Sequence, residues 1–429
     1  MSRPEQGSRG AVQAGAAPAE IESAPQPRTF RIRSLFWTVY APSFLLSIGT
    51  GALVPIVPLF ARDLGASVGL AAFAVGAREV GTVLFDMPVG TLVTRFGRRQ
   101  TMIAGTFAIL VLSILTGLST SIEQFIALRF LLGGAMALWS ISRHTYIADT
   151  VPIQHRGQAL SLFGGMGRLG SFIGPIIGGY VGEHIGLGAP FFIQSAFAFV
   201  TLGLVFALMR DAPEQKRVKA TRNVYARIGQ TVAGHRHAFL TAGVAAMALQ
   251  LVRNARQVII PLWGSEIGLG AGEIGLAIGI AAAVDMAFFY PAGLLMDRFG
   301  RKFAMVPSLF IISGALAVLG LTSNFWELLG VAVLSGIGNG LSSGVVLTLG
   351  ADLAPRGSAG EFLGVWRFFT DTGGMVSPFA IGAVASTLSL ATSGGVVAGM
   401  GVFGAGVMIV FFKETLRKTY RTGAAPGAP

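Results

Sequence analysis

Read for hydrophobicity alone, the chain alternates between long apolar stretches and short polar connections. The stretches fall at 36–60, 67–94, 101–119, 123–147, 157–182, 189–209, 238–262, 272–296, 303–321, 325–349, 359–385 and 391–412. A helix crosses the hydrocarbon of a bilayer with about 20 mostly apolar residues. The pattern therefore predicts twelve membrane-spanning helices and an all-α integral membrane protein. Residues 1–33 are rich in Ala, Pro, Gln, Gly and Glu and hold no apolar run. They read as a disordered tail, because a signal peptide would need an apolar core after its charges. Residues 211–237 carry many charges and one proline, Pro213. They read as a linker between two six-helix bundles, 34–210 and 238–412, with a second tail at 413–429.

Composition agrees with a membrane protein. Hydrophobic residues make up 52% of the 429 and charged ones 12%, with a mean hydropathy of +0.67, whereas a soluble chain carries about 25% charged residues. The net charge of +12 could suit nucleic acid. Its location argues against that, since the basic residues sit at helix ends and in short loops instead of clustering over a soluble domain. There is no cysteine, so disulfides and thiolate metal sites are excluded. The tails, the linker and alternate loops hold 24 of the 32 Lys and Arg, and the opposite loops hold only Arg62. That asymmetry places both termini on the cytoplasmic side of a multi-pass protein of the cytoplasmic membrane.

The two halves are copies. Gly90-Thr-Leu-Val-Thr-Arg95-Phe-Gly97-Arg98-Arg99 recurs 203 positions later as Gly293-Leu-Leu-Met-Asp297-Arg298-Phe-Gly300-Arg301-Lys302. The same offset relates Pro58 to Pro261, Pro88 to Pro291, Asp149 to Asp352 and Pro175 to Pro378. Two parallel six-helix repeats describe a known transporter architecture. On these residues the chain resembles the major facilitator superfamily from Leu35 to Phe412, and the second loop carries that family's signature complete. The resemblance implies two pseudo-symmetric six-helix bundles around a central cavity, with helices three, six, nine and twelve facing lipid.

The loop chemistry suits a gate. Asp297 can sit against the positive N-terminal end of a helix in the other half, and the arginines can pair with carboxylates across the loop. The first copy has Thr94 where the acid belongs, so gating there would depend on Asp149. Two further stretches resemble family motifs. Arg129-Phe-Leu-Leu-Gly-Gly-Ala135 is similar to the fourth-helix motif, whose arginine is linked to proton transfer. Gly170, Gly174, Pro175, Gly178 and Gly179 are similar to the fifth-helix motif of drug:proton antiporters, and glycines at four-residue spacing also make a smooth face for close helix packing.

Charge inside the membrane points to function. A charged side chain at mid-bilayer costs about 2.5–3.5 kcal/mol on the insertion scale. This chain holds eleven: Arg78, Glu79, Asp86, Arg129, Arg143, Arg168, Arg253, Arg256, Asp285, Arg367 and Asp371. None falls on helices three, six, nine or twelve. Gln250, Arg253, Asn254 and Gln257 form a polar stripe on helix seven, and Ser335, Asn339 and Ser342 another on helix ten. The repeat equates Arg168 with Asp371, which suggests a salt bridge across the pseudo-twofold axis. Asp285 has no basic residue within ten positions on its helix. A buried, unpaired carboxylate of that kind can load and release a proton, with Glu79 and Asp86 as further candidates.

The expected function is secondary active transport of a small organic solute or drug by alternating access, as a proton-coupled exporter resembling the drug:proton antiporters. The partners expected are the substrate, protons and the bilayer; no cofactor, metal or nucleic acid is called for, and the carrier is expected to be a monomer. Seven intramembrane Arg against four acids favour an anionic or zwitterionic substrate, so uptake or exchange of an organic anion is the alternative, met by Arg253 and Arg256. A non-transporting sensor on the same scaffold is a further alternative. An intramembrane hydrolase is disfavoured, because His144 is the only intramembrane histidine and no hydrolase signature occurs.

Overall fold

The computed structural model describes residues 35–209, 224–355 and 359–415, and every regular element among them is helical. The first half runs through α1 (Ala41–Asp63), α2 (Val68–Phe96), α3 (Arg98–Gly117), α4 (Ile122–Thr150), α5 (Ile153–His184) and α6 (Ala189–Leu208). Two short helices, α7 (Val224–Gly234) and α8 (Arg236–Ala238), follow in the stretch read as a linker. The second half comprises α9 (Val244–Glu266), α10 (Ala271–Phe299), α11 (Arg301–Val318), α12 (Phe325–Leu341), α13 (Val345–Leu353), α14 (Ala359–Thr387) and α15 (Leu390–Phe411). By length and composition, eleven spans among the described residues are apolar enough to cross a membrane. The twelfth, α14, is 29 residues long but carries Arg367, Asp371 and many Ser, Thr and Gly, a composition suited to a wall that faces water.

The duplication holds at the level of single residues. Both ends of α1 recur 203 positions later in α9, and both ends of α2 in α10. A π-helical turn precedes each half, at Phe36–Tyr40 and Phe239–Gly243. Gly97 and Gly300, with φ of +87° and +107°, are the single residues separating α2 from α3 and α10 from α11. A side chain at either would be strained in so abrupt a turn. Packing repeats as well. In one half α1 meets α5 and α6, and α4 meets α2 and α3; in the other α9 meets α14 and α15, and α12 meets α10 and α11. Large apolar side chains of α3, α6, α11 and α15 remain exposed, among them Phe107, Phe199, Phe310 and Phe403. These are the four spans that the resemblance assigned to lipid.

One expected span is broken. Positions 325–349 read as a continuous helix, whereas the chain leaves helical geometry at Ser342 and resumes at Val345, with Gly344 left-handed at φ +80°. The cause is local: Gly338, Asn339, Gly340, Ser342, Ser343 and Gly344 crowd seven positions with residues of poor helix propensity. The break frees the Ser342 carbonyl, which a cavity arginine then uses.

The halves meet at the end remote from the two signature loops, called here the far end. A Cβ on Gly69 of α2 would stand 2.8 Å from the Gly382 carbonyl oxygen of α14, and one on Gly382 would stand 2.8 Å from that of Gly69. Phe73 packs edge-on against Phe379 with ring centroids 5.1 Å apart. On the other side of the chamber α5 presses on α10. There the Gly272 amide donates to Glu183 at 2.6 Å, so that a carboxylate from one half covers the N-terminal end of a helix in the other. At the loop end the walls stand apart among the described residues: a side chain on Gly90, Gly164, Gly293 or Gly364 would meet nothing within 4 Å. Among those residues the chamber is therefore sealed at the far end and open at the loop end.

Candidate functional site

Between the halves lie two adjoining cavities that share Glu79, Thr82 and Ser140 in their walls. The deeper, of about 740 Å³, is lined by parts of α1, α2, α4, α5, α9, α10 and α12. The outer, of about 700 Å³, lies among α2, α4, α9 and α14. Ten of the eleven intramembrane charges line one or the other. The exception is Arg129, which is 3% exposed behind the wall with Nε and Nη1 lacking a hydrogen-bond partner.

An ion pair joins the halves across the deep cavity. Arg168 Nη1 on α5 donates to Asp285 Oδ1 on α10 at 3.2 Å, and Nη2 donates to Ser343 Oγ at 2.9 Å. Asn339 Nδ2 donates to the other Asp285 oxygen at 2.7 Å, while the Arg168 guanidinium lies 4.5 Å from the centroid of the Phe289 ring. The expected Arg168–Asp371 bridge is not the one formed. The physical reason is that α5 packs on α10 and α14 packs on α2, so residues equated by the repeat stand on opposite flanks of the axis. Asp285 is likewise not a lone carboxylate; its partner comes from a helix 117 positions earlier.

The other charges have their own settings. Arg78 pairs with its neighbour Glu79. Arg253 donates from Nη1 to Gln250 Oε1 at 3.1 Å and from Nη2 to the Ser342 carbonyl and hydroxyl, each at 2.6 Å. Asp371, in the outer cavity, accepts from Gln250 Nε2 at 3.0 Å and from Arg367 Nε at 3.4 Å. The helix-seven stripe thus divides, with Arg253 and Gln257 facing the deep cavity and Gln250 and Asn254 the outer one. Arg256 lines the deep cavity, and Asp86 and His144 line the outer one. His144 Nδ1 lies 2.7 Å from the Ser140 carbonyl.

Lining groups that escaped the sequence reading as site members include Arg143, Trp139, Ser47 and Thr50. Arg143 was counted among the buried charges, but its sequence neighbours gave no hint of which way it faces. On α1, Ser43, Ser47 and Thr50 recur at helical spacing, a signal hidden because that helix carries no charge in its centre.

The loop signature makes contacts other than those expected. The Asp297 side chain is 81% exposed and stands 3.9 Å from Arg301 of its own loop, with no hydrogen bond or ion pair to the other half among the described residues. Arg301 Nε donates to Asp352 Oδ2 at 2.7 Å, and the Arg301 and Lys302 amides donate to Glu414 at 3.1 and 2.9 Å. These bonds fasten the loop within the second half. With the loop end open, the acceptor helix in the first half is out of reach. Arg95 and Arg298 lie over Phe96 and Phe299 at 5.3 Å each. The side chains of Thr94 and Asp149 lie outside the described residues. In the fifth-helix motif, Gly170, Gly174 and Gly178 seat α5 on α1, and Gly179, rotated off that face, meets Ala271 and Gly275 of α10.

The sequence profile described as Major Facilitator Superfamily matches residues 41–256 and 238–429. Multidrug resistance protein MdtG of Salmonella choleraesuis (strain SC-B67) is 25% identical over 375 residues, covering 84% of this chain and 91% of that protein. Among solved structures, the nucleoside transporter NupG superimposes with a TM-score of 0.76 at 11% identity, covering 89% of this chain and all (100%) of the other. A D-xylose-proton symporter gives a TM-score of 0.66 at 16% identity, with 90% and 97% covered.

Proposed function

Since the chain belongs to the Major Facilitator Superfamily, we propose that it is a secondary active transporter that carries a small organic solute through the chamber by alternating access, exporting it in exchange for protons. The observation that carries this reading is the Arg168–Asp285 pair, a titratable contact spanning the two halves inside the chamber. While Asp285 is ionised, the pair helps hold α5 to α10 and the far end shut. A proton on Asp285 removes the attraction, and the halves are free to part there. Export is supported by the likeness to a multidrug resistance protein, MdtG. The loop end is assigned to the cytoplasm, with both termini, on the asymmetry of Lys and Arg. The carrier is read as a monomer, its own helices lining the deep cavity. The halves that rock are 34–210 and 238–412.

A second reading, exchange of an organic anion, is favoured by the wall of the deep cavity, where five arginines face two carboxylates. Purified protein in proteoliposomes with an imposed pH gradient tests the main reading against a panel of antibiotics and organic acids. Gradient-driven flux of at least one compound, lost when the gradient is collapsed, is the expected result. Flux undiminished without the gradient would remove proton coupling. Absence of flux for every compound would favour the sensor.

A further inference from the structure

We propose that the deep cavity holds the acidic head group of an organic anion, with Arg143 of the first half and Arg256 of the second, the two unengaged cations of its wall, closing on it as the chamber shuts, an assignment that rests on the transporter reading and names its substrate class. The argument begins with the five guanidinium groups of the wall. Three are engaged: Arg78 by Glu79, Arg168 by Asp285 and Ser343, and Arg253 by Gln250 and Ser342. Arg143 and Arg256 make no hydrogen bond or ion pair among the described residues. Arg143 lies over the rings of Phe163 at 4.3 Å and Trp139 at 5.5 Å, contacts that orient its plane and leave its N–H groups without acceptors. Arg256 has no such ring, and both side chains keep a buried Nε without a partner.

The buried Nε of each lacks a partner, an unfavourable state, and an anion that reaches these guanidinium groups from the cavity relieves it. The planar guanidinium fork matches carboxylate, phosphonate or sulfonate oxygens, whereas an ammonium substrate would add to the repulsion. The same wall contributes Leu46, Val54, Met136, Ile260 and Ile278, so the space beyond the head group suits an apolar body. Position adds a consequence for the cycle. The two arginines belong to opposite halves, and closing the empty chamber at the loop end would press like charges together. An anion between them neutralises both walls, so the loaded carrier closes more readily than the empty one.

Binding of phenylphosphonate and of benzylammonium, which share an aromatic body and differ in charge, tests the assignment with the full-length protein in phosphatidylcholine nanodiscs. The wild type is expected to bind phenylphosphonate and not benzylammonium. Arg256→Gln and Arg143→Gln should each weaken phosphonate binding by roughly 10- to 100-fold, the loss of a charge-assisted hydrogen bond. Arg256→Lys and Arg143→Lys should lose less, and they keep the test open should a Gln variant fail to fold. Equal or tighter binding of benzylammonium, phosphonate affinity unchanged in the Gln variants, or no phosphonate binding would each overturn the assignment. Including phosphatidylglycerol identifies the source of the anion: competition assigns the subsite to a lipid head group, and no competition to a soluble anion. Proton-driven flux confined to cations would sink this inference and spare the transporter reading. Phosphonate binding without driven flux of any compound would do the reverse.

Discussion

Asp285→Asn is expected to uncouple the carrier: exchange of substrate across the membrane continues, while accumulation driven by a pH gradient falls by about 100-fold. Asparagine keeps the shape of the side chain and can still hydrogen-bond Asn339, but it carries no charge and loads no proton. Arg168 would then face the chamber with Ser343 as its remaining polar partner. Removing one member of a buried ion pair costs roughly 3–5 kcal/mol. This pair is partly open to the chamber, its side chains 26% and 14% exposed, so the lower end, about 3 kcal/mol or roughly 100-fold, is the better guide. Driven flux and counterflow measured in the same proteoliposomes separate the two effects. Full pH-dependent flux in the variant would take Asp285 out of the proton path.

Two neighbouring glycines are expected to fail in opposite ways when changed to valine. A Cβ on Gly178 would lie 2.6 Å from the Ala52 Cα of α1, within one half. Backbone cannot withdraw from such a contact without unseating α5, and overpacking costs typically about 1–3 kcal/mol or more. Gly178→Val should therefore reduce the yield of folded protein. A Cβ on Gly179 would lie 2.9 Å from the Gly275 Cα of α10, across the halves. There the halves can part without unfolding. Gly179→Val should give normal yield with no far-end seal and with transport reduced to background. Size-exclusion profiles together with flux distinguish them. If both variants unfold, or both transport, the contact across the halves does not act as a seal.

Much of the fold was legible because the chain states it twice. The 203-residue offset fixed which helices are equivalent, and the ends of α9 and α10 reproduce those of α1 and α2. The four spans that the resemblance assigned to lipid hold no internal charge and do expose large apolar side chains, as contact with hydrocarbon requires. The break at Ser342 was missed, although a Gly, Ser and Asn run marked it, because mean hydropathy does not register propensity. Which charges would pair was not legible. Helical spacing reports neighbours on one helix, while Arg168 and Asp285 meet only after two halves associate. The expected contact between an acid and a helix N-terminus across the halves does occur, but at the far end with Glu183 and α10 instead of at the loop end with Asp297. Both placements are chemically reasonable, and sequence does not say which end is shut.

The account stands on a chamber that opens to each face of the membrane in turn. Because the chain has no cysteine, a single Thr50→Cys in the deep cavity can be modified with a membrane-impermeant maleimide against no background. Modification should proceed in both right-side-out and inside-out vesicles, with the balance between them shifted by Asp285→Asn. Modification from one face alone, whatever the pH gradient, would make the cavity a pocket rather than a path and would contradict the account.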